Sequence, residues 1–103
     1  MGLNRLMMKN GNPKDVFIAY IDRTIRQFED NALTIVGNEA FYNCSSLTSI
    51  NLPNVTTVGY GAFGSCSSLK EIHFAAKNKE AIEALSDYSN KFGATNAKIY
   101  FDI

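Results

Sequence analysis

Three side chains in this sequence could do chemistry of a familiar kind: Cys44, Cys66 and His73. A thiol beside an imidazole can act as a nucleophile with its base, and cysteine with histidine can ligate zinc. The inventory limits both readings. Two cysteines and a single histidine are one ligand short of a closed tetrahedral zinc site, and two cysteines are too few for a disulfide scaffold. A glycine-rich run, GYGAFG at 59–64, satisfies G-x-G-x-x-G. A dinucleotide site needs that run between a strand and a helix, whereas here it leads into SCSSLKEI. No catalytic set, metal site or cofactor is therefore expected, and the chain reads as non-enzymatic.

The cysteines point instead to repetition. NCSSLTSI at 43–50 returns as SCSSLKEI at 65–72, 22 residues later. The same shift aligns Ile25, Leu47 and Leu69, then Phe28, Ile50 and Ile72. It also aligns Val36-Gly37 with Val58-Gly59 and Ala40-Phe41 with Ala62-Phe63. Residues 22–43 and 44–65 form complete units, and a third begins at Cys66. Asp22 stands in the cysteine place of the first unit, and Asp30 interrupts its third apolar position.

The apolar spacing is neither helical throughout nor alternating throughout. Each unit reads as a short strand (Ile50, Leu52), a turn at Pro53-Asn54, and compact non-strand chain carrying Ala-Phe inward. One such unit cannot close a core, but stacked units bury continuous rows of Leu/Ile and Ala-Phe. The expected fold is an α/β solenoid, a short stack of 22-residue coils with a parallel sheet of short strands. Of the three glycines in GYGAFG, only Gly59 has a glycine counterpart (Gly37), so Gly59 is expected to hold a positive-φ turn. The recurring cysteines are expected to be stacked, reduced, buried thiols that pack as small hydrophobes. Ser45-Ser46 and Ser67-Ser68 read as turn residues. The sequons at Asn43-Cys44-Ser45 and Asn54-Val55-Thr56 are the chance product of Asn/Ser/Thr-rich turns.

A single domain over 1–103 is expected, with 1–21 as an N-terminal cap or degenerate coil, 22–76 as the repeats and 77–103 as a C-terminal cap. Leu3, Leu6 and Met8 lie 22 residues before Ile25, Phe28 and Asp30, and VFIAYI at 16–21 reads as a strand. KNKEAIEALSDYSNKF at 77–92 reads as one helix with Ala81, Ile82, Leu85, Tyr88 and Phe92 on a single stripe, Asn78 at its start and Gly93 past its end. Ala84-Leu85 would take the core place of Ala62-Phe63. AKIYFDI then supplies a last strand, with Ile99 and Phe101 placed 27 residues after Ile72 and Phe74. The cap is thus expected to be a helix plus a strand.

With C-x-x-L-x-x-I-x-L-P and V-G-x-x-A-F recurring at one period, residues 22–76 resemble the BspA-like leucine-rich repeats. The resemblance implies a cell-surface or secreted protein that binds proteins, matrix or other cells. MGLNRLMMKNGNPKD at the N-terminus has no apolar core of the kind a secretory signal needs. No apolar run is long enough to insert into a membrane. Ten basic and ten acidic residues balance, leaving no global field to recruit nucleic acid or anionic lipid.

Strand alternation turns Gln27, Glu29, Ser49, Asn51, Glu71 and His73 outward on successive strands. This polar ladder is the expected partner-binding face of a protein-recognition or adhesion module. Its shortage of aromatics favours a protein partner over a sugar, and the shortness of the array makes self-association an expectation too. The alternative is a structural repeat segment of a larger cell-surface, fibre or virion protein with no dedicated ligand.

Overall fold

The computed structural model describes residues 24–103. The expected cap or degenerate coil over 1–21 and the strand at 16–21 lie outside the described residues. Within them, β1 (Gln27–Glu29), β3 (Ser49–Leu52), β5 (Glu71–Phe74) and β6 (Lys98–Phe101) form a four-stranded sheet in that spatial order. All neighbours are parallel, with Gln27 paired to Ser49 and Ser49 to Glu71. Phe28, Ile50 and Ile72 share one rung, and Glu29, Asn51 and His73 another. The 22-residue shift in the sequence is therefore a hydrogen-bond register. The last pair steps by 27, with Ile72 opposite Ile99 and Phe74 opposite Phe101.

Each strand is short because a side chain is needed on only two inward positions before the chain must turn. Ile50 and Leu52 are fully buried, as are Ile72 and Phe74 one coil on. Leu47 and Leu69 enter the core just before the strands. From the opposite side, Ala40-Phe41 and Ala62-Phe63 close the core, with the two phenylalanine rings 5.4 Å apart and Phe28 edge-on to Phe41 at 5.1 Å. Truncating either buried ring, Phe41 or Phe63, would remove about 3–5 kcal/mol of stability.

The stretch expected to be non-strand carries a second ladder. β2 (Ile35–Val36) and β4 (Thr57–Val58) pair in parallel, Ile35 with Thr57 and Val36 with Val58. The β-branched residues suit the extended backbone, and both valines are buried. The Ala-Phe segment is tied across coils as well, with Phe41 N–H donating to Ala62 O and Asn43 N–H to Gly64 O, both at 2.8 Å. Cys44 and Cys66 are buried and in no disulfide. Cys66 Sγ–H donates to Phe41 O at 3.0 Å, so this thiol also tethers one coil to the previous one.

The expected positive φ at Gly59 is corrected as well. Gly59 does not adopt positive φ; Gly61 does, at +61°, in register with Glu39 at +57°. A second left-handed pair, Asn43 at +65° and Ser65 at +57°, recurs at the same spacing. Gly59 is required for space instead: a Cβ there would lie 2.5 Å from Asn38 N and 2.7 Å from Gly37 C. The repeated left-handed position of the turn thus sits at 39/61, where glycine relieves a strain that Glu39 tolerates.

The expected helix over 77–92 is also corrected. The chain forms a 3-10 turn at Ala76–Asn78, a short helix α1 (Lys79–Glu83) and a second 3-10 segment, Tyr88–Gly93, interrupted at Lys91 and Phe92. Both of those residues take φ of +53°. Asp87 explains the break. Its Oδ2 accepts Gly61 N–H at 2.9 Å, and its carbonyl accepts both Asn90 and Phe92 N–H at 3.1 Å. The chain is pinned to the preceding coil at that point and cannot continue as a helix. Asn78 makes no side-chain cap; its Nδ2 donates to Val55 O at 3.4 Å. Ala84 is exposed and Leu85 half-buried. The core is closed by Ile82 and Phe92, both fully buried, and Phe92 O accepts Phe63 N–H at 2.8 Å.

Asp30 occupies the place of Leu52 and Phe74 and is only 4% exposed. Its Oδ1 accepts Ala32 N–H at 2.8 Å and Leu33 N–H at 3.1 Å. Asp30 thus replaces an apolar contact by bridging a turn with its side chain.

Candidate functional site

All six outward residues singled out from the sequence line one concave depression on the sheet face. Gln27 and Glu29 come from β1, Ser49 and Asn51 from β3, and Glu71 and His73 from β5. Phe28, Asp102 and Ile103 complete its wall, and it encloses about 650 Å³. Parallel register stacks like positions, giving one row of Gln27, Ser49 and Glu71 and another of Glu29, Asn51 and His73. Glu29, Glu71 and Asp102 supply carboxylates, and His73 is the only cationic group among the lining residues.

His73 is the most constrained residue of the face. Its Nδ1 lies 2.9 and 3.0 Å from the Asp102 carboxylate oxygens, and its Nε2 lies 2.9 Å from Glu71 Oε1. Tyr100 stacks on the ring at 5.0 Å with planes 14° apart. Both nitrogens can donate only in the imidazolium, because a neutral ring has one N–H and one lone pair. Burial alone would lower the pKa of His73. Hydrogen bonds donated to Glu71 and Asp102, with the charges of those carboxylates, outweigh that and raise it above the ordinary 6.5. With both protons engaged the ring has no lone pair to accept another, so in this state it is not a general base.

Tyr100 and Asp102 were not among the residues singled out from the sequence. A signal for Tyr100 was present, since the 27-residue step that pairs Ile72 with Ile99 also pairs His73 with Tyr100. Asp102 continues the same alternation beyond the end of β6, where no strand pattern marks it.

The structure does not bring a cysteine and His73 together as a nucleophile and its base. Cys66 sits in the core with its thiol on Phe41 O, while His73 stands on the sheet face between two carboxylates. Among the described residues no group of three or more His, Cys, Asp or Glu side chains is placed to hold a metal ion. The glycines of GYGAFG lie against Asn38, Glu39 and Tyr42 of the preceding coil. Among the described residues no helix is long and apolar enough to cross a membrane.

No curated protein and no solved structure shows significant similarity to the chain. The BspA type Leucine rich repeat region (6 copies) matches residues 20–93, well over half of the sequence. That match covers the coils whose strands stack at a 22-residue step and whose inward positions are filled by leucine, isoleucine and phenylalanine. The chain belongs to the BspA-type leucine-rich repeat family.

Proposed function

We propose that the chain is a non-enzymatic recognition module, a 22-residue-per-coil solenoid capped at its C-terminal end, that binds a protein partner through its polar sheet face. The observation that carries this reading is the convergence of Gln27, Glu29, Ser49, Asn51, Glu71 and His73 on one depression. Their backbones are fixed by parallel ladders, so little ordering entropy is lost when a partner docks. The carboxylates of Glu29, Glu71 and Asp102 favour a partner that brings N–H donors or positive charge. A cell-surface or secreted setting accords with the family.

The experiment compares proteins captured by the wild-type chain with those captured by a Gln27→Ala/Asn51→Ala double variant. Among the described residues these side chains make no hydrogen bonds, so the variant should melt within a few degrees of wild type. A protein captured by the wild type and lost with the variant supports the reading; identical capture by both overturns it.

The engagement of His73 by Glu71 and Asp102 favours a second reading, in which the face is satisfied internally and the chain is a structural repeat segment. Self-association through either end of the stack would accompany that role, and sedimentation at rising concentration reads it directly.

A further inference from the structure

The repeated C-S-S-L corner has a use that the sheet face leaves untouched. Each corner is a tight turn, closed by Leu47 N–H to Cys44 O at 3.2 Å and by Leu69 N–H to Cys66 O at 3.1 Å. Turning the chain this sharply buries the cysteine and leucine and pushes both serines outward. A separate depression of about 220 Å³ opens over these corners, lined by Arg26, Ser45, Ser46, Thr48 and Ser68. Its walls therefore come from successive coils.

The lining is one-sided in its chemistry. Thr48 Oγ1–H is spent on Arg26 O at 3.0 Å. That bond, with Thr48 N–H to the same carbonyl at 2.7 Å, fixes the backbone from which the Arg26 side chain projects. Among the described residues the Arg26 guanidinium meets no carboxylate. The hydroxyls and backbone N–H groups of Ser45, Ser46 and Ser68 have no acceptor within the described protein either. Among the described residues no carboxylate lines the depression. A permanent positive charge and neutral hydroxyls on residues lining one space, with unspent amides on the same serines, make an anion-binding set.

We propose that this corner cleft binds a tetrahedral oxyanion, phosphate or sulfate, through the Arg26 guanidinium and the hydroxyls and amides of Ser45, Ser46 and Ser68. The guanidinium fork takes two oxygens of the anion, and the serines of the next two coils approach its remaining oxygens from other directions. A planar carboxylate would satisfy the fork and leave the serine donors unused, which is why the tetrahedral anion is the better match.

The test is a titration of the isotope-labelled full chain with sodium phosphate and, separately, sodium sulfate, followed by amide and Arg Nε–H resonances. Sodium chloride at matched ionic strength is the control. Saturable shifts at Ser45, Ser46, Ser68 and the Arg26 side chain are expected with at least one of the two anions. Arg26→Gln should weaken binding about tenfold, the loss of a charge-assisted hydrogen bond. Ser46→Ala should weaken it less, with an otherwise unchanged spectrum that shows an intact fold. Phosphate binding that strengthens above about pH 6 identifies the dianion as the bound form; equal binding of sulfate identifies a site that reads charge and shape. Shifts that match the chloride control, or undiminished affinity in Arg26→Gln, would overturn the proposal.

Discussion

His73 and Asp102 are 29 positions apart in sequence, yet both carboxylate oxygens of Asp102 lie within 3.0 Å of His73 Nδ1. The contact ties the chain beyond β6 to the middle of β5. The same closure is reinforced by Ile103 N–H to Phe74 O at 3.3 Å and Ala76 N–H to Ile103 O at 3.1 Å.

This contact makes stability depend on pH with a definite sign. The pKa of His73 is raised in the folded protein. Its contribution is therefore fully present below the unfolded value of about 6.5 and is lost as pH rises through the folded pKa. The melting temperature should fall over that window, and Asp102→Asn should flatten the fall. An imidazole titration by NMR that places His73 at or below 6.5 would contradict the assigned imidazolium.

Gly59 and Gly61 should respond differently to alanine. At Gly59 the added Cβ meets backbone at 2.5 and 2.7 Å, and an overpacked backbone that cannot retreat should cost about 3 kcal/mol. At Gly61 the nearest atom is Glu39 Cγ at 3.7 Å, so only the left-handed backbone is strained, at about 1 kcal/mol. Urea denaturation of both variants checks the order; a larger loss at Gly61 would refute the steric assignment.

Asp30 should matter as an acceptor more than as a charge. Asp30→Asn keeps an oxygen for Ala32 and Leu33 N–H and should lie within about 1 kcal/mol of wild type. Asp30→Ala strands both N–H groups at a buried turn and should lose about 2 kcal/mol. Equal stability of the two variants, measured by urea denaturation, would show that the turn does not need the side chain.

The thiols should be silent until the coils separate. Cys44 and Cys66 are buried, so a thiol-specific reagent should modify the native protein only as fast as it unfolds. The intact mass should be the same with and without reductant. Cys66→Ala removes the hydrogen bond to Phe41 O and a small buried volume, at about 1–2 kcal/mol. Rapid labelling under native conditions would place the thiols outside the core.

Register was the most legible property, because a parallel ladder repeats whatever spacing the chain repeats. Ile50 and Ile72 announce their pairing by sequence position alone, and so do Ile72 and Ile99 despite a longer step. The outward row of Glu29, Asn51 and His73 follows from the same alternation. What escaped was decided by single long-range contacts. The break at Asp87 depends on its reach to Gly61 N–H, which a helical apolar stripe conceals. The β2–β4 ladder was missed because two residues are too few to show alternation. The role of Asp102 depends on where the chain travels after the last strand pattern has ended. Gly59 was read by its residue type, whereas the turn conformation at 39/61 is shared by Glu39 and carries no glycine signature in the first coil.

The constant 22-residue step between β1, β3 and β5 also governs how such a chain can change length. Strands pair with their counterparts one step away and Phe41 packs on Phe63, so gain or loss of a whole unit joins like surfaces and leaves both ends as they were. An insertion of any other size must be absorbed outside the ladders, as the five additional residues before β6 are absorbed between Ala75 and Ala97. Growth by slippage or unequal crossover is thereby tolerated in one quantum, and the gene inherits its permitted copy lengths from the hydrogen bonds of the fold.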